Sequence, residues 1–336
     1  MRTLASLALT IGVAALFAGC GGSAVAPSNA ALNGAYDGRR LSVNGMPVMT
    51  ARVSPPPQYA MILRDWRAKT KTFVYIINVY GSYASIFDYP KSDKQIGTIN
   101  NVGGQGCTNV LFGYGMKRFW IVAGARQITE YTVPKTPIKT LSVSSVGGPS
   151  SCAMNASGDL AVGILFGSGS GDIVIFRHAG GSGTVITTPL SGEYGDGYDP
   201  RGDLFADGFS GSGSSAKFKL VELPQGRKKF RTITTSNPVK SPGSVQWDGK
   251  YVTVSDQDTN EMYQYTISGT KATLKGTVHL SGGGSCAQTW IATDVVYCAD
   301  AAKDDGEVFK YPAGGSAIAV FRGHFDLPLG VTAAQI

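Results

Sequence analysis

The chain has 336 residues, of which 43% are hydrophobic and only 16% are charged, and its formal net charge is +7. This length and hydrophobic content allow a large buried core and exclude an intrinsically disordered protein. The 45 glycines, together with abundant Ser and Thr, favour a turn-rich all-β fold over a helical one. The positive charges are scattered, so we expect no nucleic-acid partner, although a basic exterior could meet anionic lipid or polysaccharide.

The N-terminus has the pattern of an export signal. Arg2 precedes an apolar run from Leu4 to Ala18, which is too short to span a bilayer. The run ends in Leu16-Phe-Ala-Gly-Cys20, which resembles a lipobox, the signal for attaching diacylglycerol to a cysteine thiol. We therefore predict a lipoprotein signal peptide over residues 1–19 and lipid attachment at Cys20. An ordinary secretory signal is the alternative, and either signal exports the chain.

Residues 20–68 are predicted to form a lipidated N-terminus and a tether. This segment is rich in Gly, Ser and Ala and contains Pro55-Pro56-Pro57, a composition that is typical of a spacer. A short helix is expected at Tyr59 to Lys69. The lipid would anchor the protein to the outer membrane or cell envelope, with the folded part, residues 69–336, facing the periplasm or the exterior.

From Val74 onward, the sequence repeats. Six β-rich segments follow one another with spacings of 45, 41, 44, 47 and 44 residues. They begin at Val74, Phe119, Leu160, Leu204, Tyr251 and Val295. Each is followed by a second segment with the period-two alternation of a half-buried strand and then by a third. A glycine-bearing connection, such as Gly103-Gly104 or Gly192 to Gly197, leads into the next unit and is expected to supply positive φ and close approach.

Four strands per unit at this period predict a six-bladed β-propeller of antiparallel blades. The first unit lacks an inner strand before Val74, and the chain stops after Leu329-Gly-Val-Thr-Ala-Ala-Gln335. We therefore expect the C-terminal strand to complete blade one and close the ring, because an open ring leaves sheet edges free to aggregate. A linear β-solenoid is the structural alternative.

The repeats resemble the NHL type. Tyr251-Val-Thr-Val-Ser-Asp256, followed by Met262-Tyr-Gln-Tyr265, and Val296-Tyr-Cys-Ala-Asp300, followed by Val308-Phe-Lys-Tyr311, carry this resemblance. It extends from Phe73 to the C-terminus and implies the propeller fold. It implies less about function, because such propellers include scaffolds, ligand binders, lactonases and lyases.

The candidate site lies in the loops that would surround one mouth of the central channel. These loops are the connections into the inner strands and the turns between the second and third strands. They carry a set of acidic and aromatic residues that could bind a ligand: Glu193, Tyr194, Asp196, Asp207, Asp256 and Asp300. The alternative is that such acidic residues only hydrogen-bond local backbone amides.

Catalysis has weaker support in the sequence. The resemblance to gluconolactonase-type propellers implies a channel metal held by Glu, Asn and Asp, and hard carboxylate oxygens suit calcium, so a metal-dependent hydrolase or lactonase is the alternative function. The lyase-like members use a channel histidine, whereas His178, His279 and His324 fall on outer strands or their turns. We assign no metal ligand, because Asp256-Gln-Asp258 begins like a calcium loop but lacks its later glycine and glutamate.

Besides Cys20, four cysteines remain, and an oxidising compartment would pair them. Cys107 and Cys152 occupy equivalent positions in neighbouring inner strands, and Cys286 and Cys298 lie on two arms of one hairpin. We expect these two pairs, the second on condition that the turn from Trp290 to Asp294 has five residues rather than two. Free thiols are the alternative. The sequence as a whole predicts a noncatalytic, lipid-anchored propeller without a cofactor, whose partner is a protein, a glycan or a small ligand.

Overall fold

The computed structural model describes residues 71–108, 117–123, 126–145, 147–165, 171–212 and 215–336. These residues form six antiparallel sheets arranged as the blades of a propeller, which confirms the predicted fold class. In this described part, no helix is long and apolar enough to cross a membrane. The signal peptide, Cys20, the tether and the predicted helix lie outside the described residues.

The strands follow one another blade by blade. Blade 1 contains β1 (Thr72–Asn78), β2 (Tyr83–Tyr89) and β3 (Gln95–Asn100). Blade 2 contains β4 (Val102–Cys107), β5 (Arg118–Ala123), β6 (Gln127–Thr132) and β7 (Thr136–Ser142). Blade 3 contains β8 (Pro149–Met154), β9 (Leu160–Ile164), β10 (Asp172–Phe176) and β11 (Thr184–Thr187), with a short 3₁₀ helix at Arg177–Ala179. In each of these blades, the last strand to be named lies at the outer edge.

The second half of the chain repeats the pattern. Blade 4 contains β12 (Gly192–Tyr198), β13 (Leu204–Ser210), β14 (Lys217–Leu223) and β15 (Arg231–Ile233). Blade 5 contains β16 (Val245–Trp247), β17 (Val252–Asp256), β18 (Glu261–Ser268) and β19 (Lys271–Ser281). Blade 6 contains β20 (Cys286–Ala292), β21 (Val295–Asp300), β22 (Asp305–Lys310) and β24 (Ala319–Val320), and before β24 the two-residue strand β23 (Gly315–Ser316) pairs in parallel with β19.

The C-terminal strand closes the ring, as predicted. Strand β25 (Pro328–Gln335) pairs antiparallel with β1, with Ala333 opposite Val74. Lys71 and Ile336 extend this pairing by exchanging two backbone hydrogen bonds of 3.0 Å. Strand β25 is therefore the innermost strand of blade 1, and this blade joins the two ends of the described chain.

Burial decreases from the channel to the rim. The inner strands β4, β8, β12, β16, β20 and β25 are buried almost throughout. Outer strands such as β7 and β11 are mostly exposed. The core lies between neighbouring blades, where Tyr75 of blade 1 stacks on Phe119 of blade 2 with ring centroids 4.0 Å apart. Strands covered on both faces account for the continuous apolar runs that begin each repeat.

Several glycines lie elsewhere than the sequence predicts. Gly104, Gly195 and Gly197 are within inner strands rather than in the connections between blades. An added Cβ at Gly197 would lie 2.3 Å from the carbonyl oxygen of Val245 on the next inner strand. These glycines therefore permit close approach of neighbouring strands at the channel, whereas positive φ occurs at connection glycines such as Gly147 and Gly282.

Candidate functional site

A cavity occupies the central channel along the second half of the inner strands. The space between its walls is about 420 Å³, and this volume includes open solvent. Its walls come from strands or strand ends of blades 2 to 6, namely Gln105, Cys107, Thr108, Cys152, Ala153, Met154, Gly195, Asp196, Gly197, Tyr198, Ser244, Val245, Gln246, Trp247, Gln288, Thr289 and Trp290. This half of the channel lies at the end opposite to the connections in which the sequence predicts the site.

Large apolar or aromatic side chains line the cavity at corresponding positions of successive blades. Met154, Tyr198 and Trp247 each end their inner strand, and Trp290 lies near the end of β20. Met154 and Trp247 are half-buried, and the other two are buried. We call these four side chains the bulky ring. The sequence patterns did not reveal this ring, although a large residue lies at or near the end of the inner strand in each of these four consecutive repeats.

The neutral polar side chains of the wall connect neighbouring inner strands. Gln246 of blade 5 donates to the carbonyl oxygen of Ile291 at 3.0 Å and accepts from its N–H at 2.8 Å. The side-chain oxygen of Gln288 accepts the N–H of Val331 at 2.5 Å, and Ser244 Oγ accepts the N–H of Thr289 at 2.8 Å. These bonds hold adjacent blades together where no backbone ladder exists, and each of the three side-chain oxygens accepts one of them.

Asp196 is the single ionisable carboxylate among the residues that line the cavity. Its residue is 7% exposed, and neither carboxylate oxygen has a hydrogen-bond partner among the described residues. Ser151 provides the nearby hydroxyl, but it has one proton and donates it to Glu193 at 2.8 Å. Burial, and then the charge of Glu193, raise the pKa of Asp196 well above its usual range.

Glu193 and Asp207 lie beside Asp196 and are fully buried. Glu193 begins the same strand and accepts hydrogen bonds from Ser150 at 3.0 Å and from Ser151. Burial raises the pKa of Glu193 to about 8, partly offset by the serine hydroxyls. Asp207 accepts the N–H of Gly243 at 3.1 Å, one of its oxygens is unpartnered, and burial likewise raises its pKa. The three acidic groups form a buried cluster, and no lysine or arginine of the described chain forms an ion pair with them.

Asp256 and Asp300 serve the turns instead. Each ends the second strand of its blade, at the opposite end of the channel from the cavity. Asp256 accepts the N–H groups of Lys240, Ser241 and Asp258. Asp300 accepts four backbone N–H groups, at Gly284, Ser285, Ala302 and Lys303. Both carboxylates therefore act as the alternative interpretation expects, as acceptors for local backbone.

Tyr194 belongs to the core. It is 7% exposed, and its ring meets that of Phe209 edge-on with centroids 5.2 Å apart. Of the six candidate ligand-binding residues, the structure thus brings Glu193, Asp196 and Asp207 together and lines the cavity with Asp196 alone.

One group of potential metal ligands lies close together in the described part of the chain, and it does not suit a metal. The ligand atoms of Cys298, Asp300 and Glu307 lie within 4.8 Å of one another. The thiol of Cys298 is used in a disulfide, the Asp300 carboxylate is held by backbone amides, and Glu307 accepts a 2.6 Å bond from Lys303. These engagements leave too few oxygen ligands for calcium.

The cysteines pair in the expected combinations. Cys107 and Cys152 join the inner strands of blades 2 and 3, with Cα atoms 5.6 Å apart, and both line the cavity. Cys286 and Cys298 join β20 to β21 with Cα atoms 5.3 Å apart. The condition stated for the second pair does not hold, because the strands are separated by only two residues, Thr293 and Asp294. A register shift between Cys286 and Gln288 brings the two cysteines together instead.

The remaining motifs lie away from the cavity. His178 is in the short 3₁₀ helix, His279 is on outer strand β19, and His324 lies in the connection to β25, as their sequence positions predict. Arg201-Gly202-Asp203 forms a hairpin turn in which Asp199 accepts the N–H groups of Arg201 and Asp203. Asn155 accepts those of Ser157 and Asp159 in the same way, so the two turns are equivalent.

Solved structures with this fold are known. The chain is similar to a chain of the nidogen/laminin complex, with a TM-score of 0.60 and 14% identity over 78% of this chain and 98% of that one. It is similar to a protein of unknown function from Bacteroides caccae, with a TM-score of 0.57 and 10% identity over 79% and 99% of the two chains. A functionally unknown protein from Desulfotomaculum acetoxidans has a TM-score of 0.53 and 9% identity over 78% and 98%. At these identities the likeness shows the β-propeller fold alone.

No family model matches the sequence. No curated protein matches it either.

Proposed function

We propose that this protein is a lipid-anchored β-propeller of the periplasm or cell surface that binds a ligand or a protein partner without catalysing a reaction on it. The observation that supports this proposal is the channel cavity, whose wall combines the bulky ring with one carboxylate. A concave site with apolar walls and a few polar groups is the usual form of a binding pocket.

The chemistry of the wall favours binding over catalysis. The side chains of Gln246, Gln288 and Ser244 are occupied in joining blades, so they serve as fixed wall rather than as reacting groups. One of the similar propellers occurs in a complex between two proteins, which supports a protein partner. The NHL-like repeats and the lipobox remain the basis for the proposed class and address.

The lipid anchor has a direct test. In a cell that lipidates its exported proteins, Cys20→Ser should release the protein from washed membranes into the soluble periplasmic or extracellular fraction. Ser23→Ala is the control, because it changes a nearby residue and leaves the lipobox and the disulfides intact. Retention of the Cys20→Ser protein in the membrane fraction would count against lipidation.

The binding role is tested by following thermal unfolding of the purified mature protein in the presence of candidate ligands, together with elemental analysis. Ligands that raise the unfolding temperature should lose this effect when a larger side chain is placed at a half-buried position of the cavity wall, for example by Met154→Trp. The competing function, a metal-dependent hydrolase or lactonase, would be favoured by stoichiometric calcium together with lactone hydrolysis.

A further inference from the structure

The unpaired carboxylate in the channel indicates what the cavity accepts. We propose that the cavity binds a primary ammonium group, carried either by a small alkylamine or by a lysine side chain, with the bulky ring around its alkyl chain. Asp196, whose carboxylate oxygens are fully buried in the cavity wall, turns towards the ammonium group as its counter-charge. This inference rests on the proposed binding function and adds the chemical class of the ligand.

The first argument is the hydrogen-bonding state of Asp196. A buried polar atom without a partner costs about 1–3 kcal/mol, and both oxygens of this carboxylate lack a partner within the described chain. An ionised carboxylate also needs an opposite charge, and no described lysine or arginine forms an ion pair with it. An ammonium group has three N–H donors and one positive charge, and so would satisfy both requirements at once.

The second argument is the chemistry of the surrounding wall. Tyr198, Trp247 and Trp290 line the cavity, and aromatic rings attract organic cations through their electron-rich faces. Met154 adds a polarisable thioether. A wall of this kind suits an alkylammonium chain, which presents methylene groups behind its charge.

The third argument excludes a hard metal ion as the better occupant. Calcium requires six to eight oxygen ligands, mostly carboxylates and carbonyls, but Asp196 is the single carboxylate among the residues that line the cavity. The close group of potential metal ligands found in the described residues lies elsewhere and does not include Asp196.

Ligand binding should release a proton. Without a ligand, Asp196 is surrounded by Glu193, Asp207 and the Tyr198 hydroxyl and by no cationic group that the structure describes, which favours its protonated form. An ammonium ion that binds to the ionised carboxylate displaces this proton to solvent, and the amine keeps its own proton. The affinity for an amine should therefore rise with pH until the amine itself begins to lose its proton.

The experiment is titration calorimetry of the mature protein with n-butylammonium chloride and, separately, with a peptide that contains one lysine between two glycines. n-Butanol and the same peptide with norleucine are the uncharged controls, and calcium chloride is the metal control. We expect the charged compounds to bind and the uncharged ones to fail. Heats measured in two buffers of different ionisation enthalpy should show proton release. The stronger of the two charged ligands identifies the source of the ammonium group.

The variants assign the binding to the cavity. Asp196→Asn keeps the side-chain shape and should weaken binding roughly thirtyfold or more, and Trp247→Leu should weaken it while keeping the charge. Asp258→Asn is the control, because it removes an exposed carboxylate from the turn after β17 and should leave the affinity unchanged.

Equal binding to the wild-type and Asp196→Asn proteins, or binding of calcium in preference to both amines, would overturn the inference. If neutral saccharides bind in the cavity and amines do not, the inference fails while the proposed binding function survives. If none of the compounds tested binds to the wild-type protein, both the inference and the proposed binding function fail.

Discussion

At the scale of single residues, the acidic side chains of different strands in the repeat have different roles. Asp256 and Asp300 are held by backbone amides, so they stabilise turns. Glu193 and Asp196 lie in a single inner strand and face no cation of the described chain. What separates the two groups is the number of backbone N–H donors that each carboxylate accepts, because these donors stabilise a carboxylate that is removed from water.

Glu193→Gln tests the buried acidic cluster through the pH dependence of stability. The pKa of Glu193 in the folded protein is about 8, whereas in the unfolded chain it is about 4.3. Because the folded state holds its proton more tightly, the contribution of Glu193 to stability is present below the unfolded pKa and is lost as the pH rises through the folded pKa. Glutamine does not titrate, so the variant should gain about 3 kcal/mol relative to wild type on going from pH 5 to pH 8.

Urea denaturation of both proteins at the two pH values measures this gain as a difference in the free energy of unfolding. The lost hydrogen bond from one serine lowers the stability of the variant equally at both pH values and so does not affect the comparison. If the variant and the wild type differ in free energy of unfolding by the same amount at pH 5 and at pH 8, Glu193 is ionised in the folded protein at both pH values.

At the scale of the element, the inner strands of neighbouring blades approach one another closely, although they belong to different sheets and form no backbone ladder with each other. Glycine provides this approach at Gly195 and Gly197, and side chains such as Gln246 provide the hydrogen bonds. The disulfide between Cys107 and Cys152 fastens two more of these strands covalently. A chain-entropy estimate for a loop of this length is about 4 kcal/mol, which is a large fraction of the usual stability of a domain, about 5–15 kcal/mol.

Gly195→Ala tests the close approach. A Cβ at this position would lie 2.4 Å from the carbonyl oxygen of Gly243, so blades 4 and 5 would have to move apart. We expect the free energy of unfolding to fall by about 1–3 kcal/mol or more.

Gly97→Ala is the matched control for this change. Gly97 lies in outer strand β3, and an added Cβ there would be 3.7 Å from Ile86 Cδ1, an ordinary contact. The control protein should be as stable as wild type in the same denaturation assay. If the two substitutions change the free energy of unfolding equally, the inner strands of blades 4 and 5 can accommodate an added methyl group at Gly195.

At the scale of the whole molecule, closure by β25 makes the ring one cooperative unit. The strand contributes buried side chains such as Val331 and Ala333 to the core between blades. It also covers the edge of β1, which would otherwise expose unpaired backbone groups.

Removal of residues 328–336 should therefore unfold blade 1 and cause aggregation, because the edge of β1 and its apolar neighbours become exposed. Size-exclusion chromatography and thermal unfolding measure the two effects. A chain that lacks only Ile336 is the control, since it loses a single pair of backbone bonds with Lys71 and should remain monodisperse. A stable, monodisperse protein without the last nine residues would show that the ring does not depend on closure.

Much of the architecture follows from the sequence. The number of blades, the closing strand at the C-terminus and the pairing of Cys107 with Cys152 could be predicted, because period-two alternation and the length of the repeat are local properties of the chain. The second disulfide could also be proposed, but only by assuming a five-residue turn between its two strands. The register shift at Cys286, which brings the two cysteines together, is not visible in the order of the residues.

The site could be predicted only in part. Asp196 was found by its residue type, whereas the bulky ring of Met154, Tyr198, Trp247 and Trp290 was not. The repeats show that a large residue lies at or near the end of each of these inner strands, but they do not show which half of the channel remains open.

By itself, therefore, the sequence determined the propeller, its closure and the set of acidic candidates, since each depends on the order and spacing of residues. The tertiary structure alone decided which carboxylates meet backbone amides and which remain unpartnered in the channel. The reason is that these contacts join residues from different blades, and the packing of one blade on the next sets their distances.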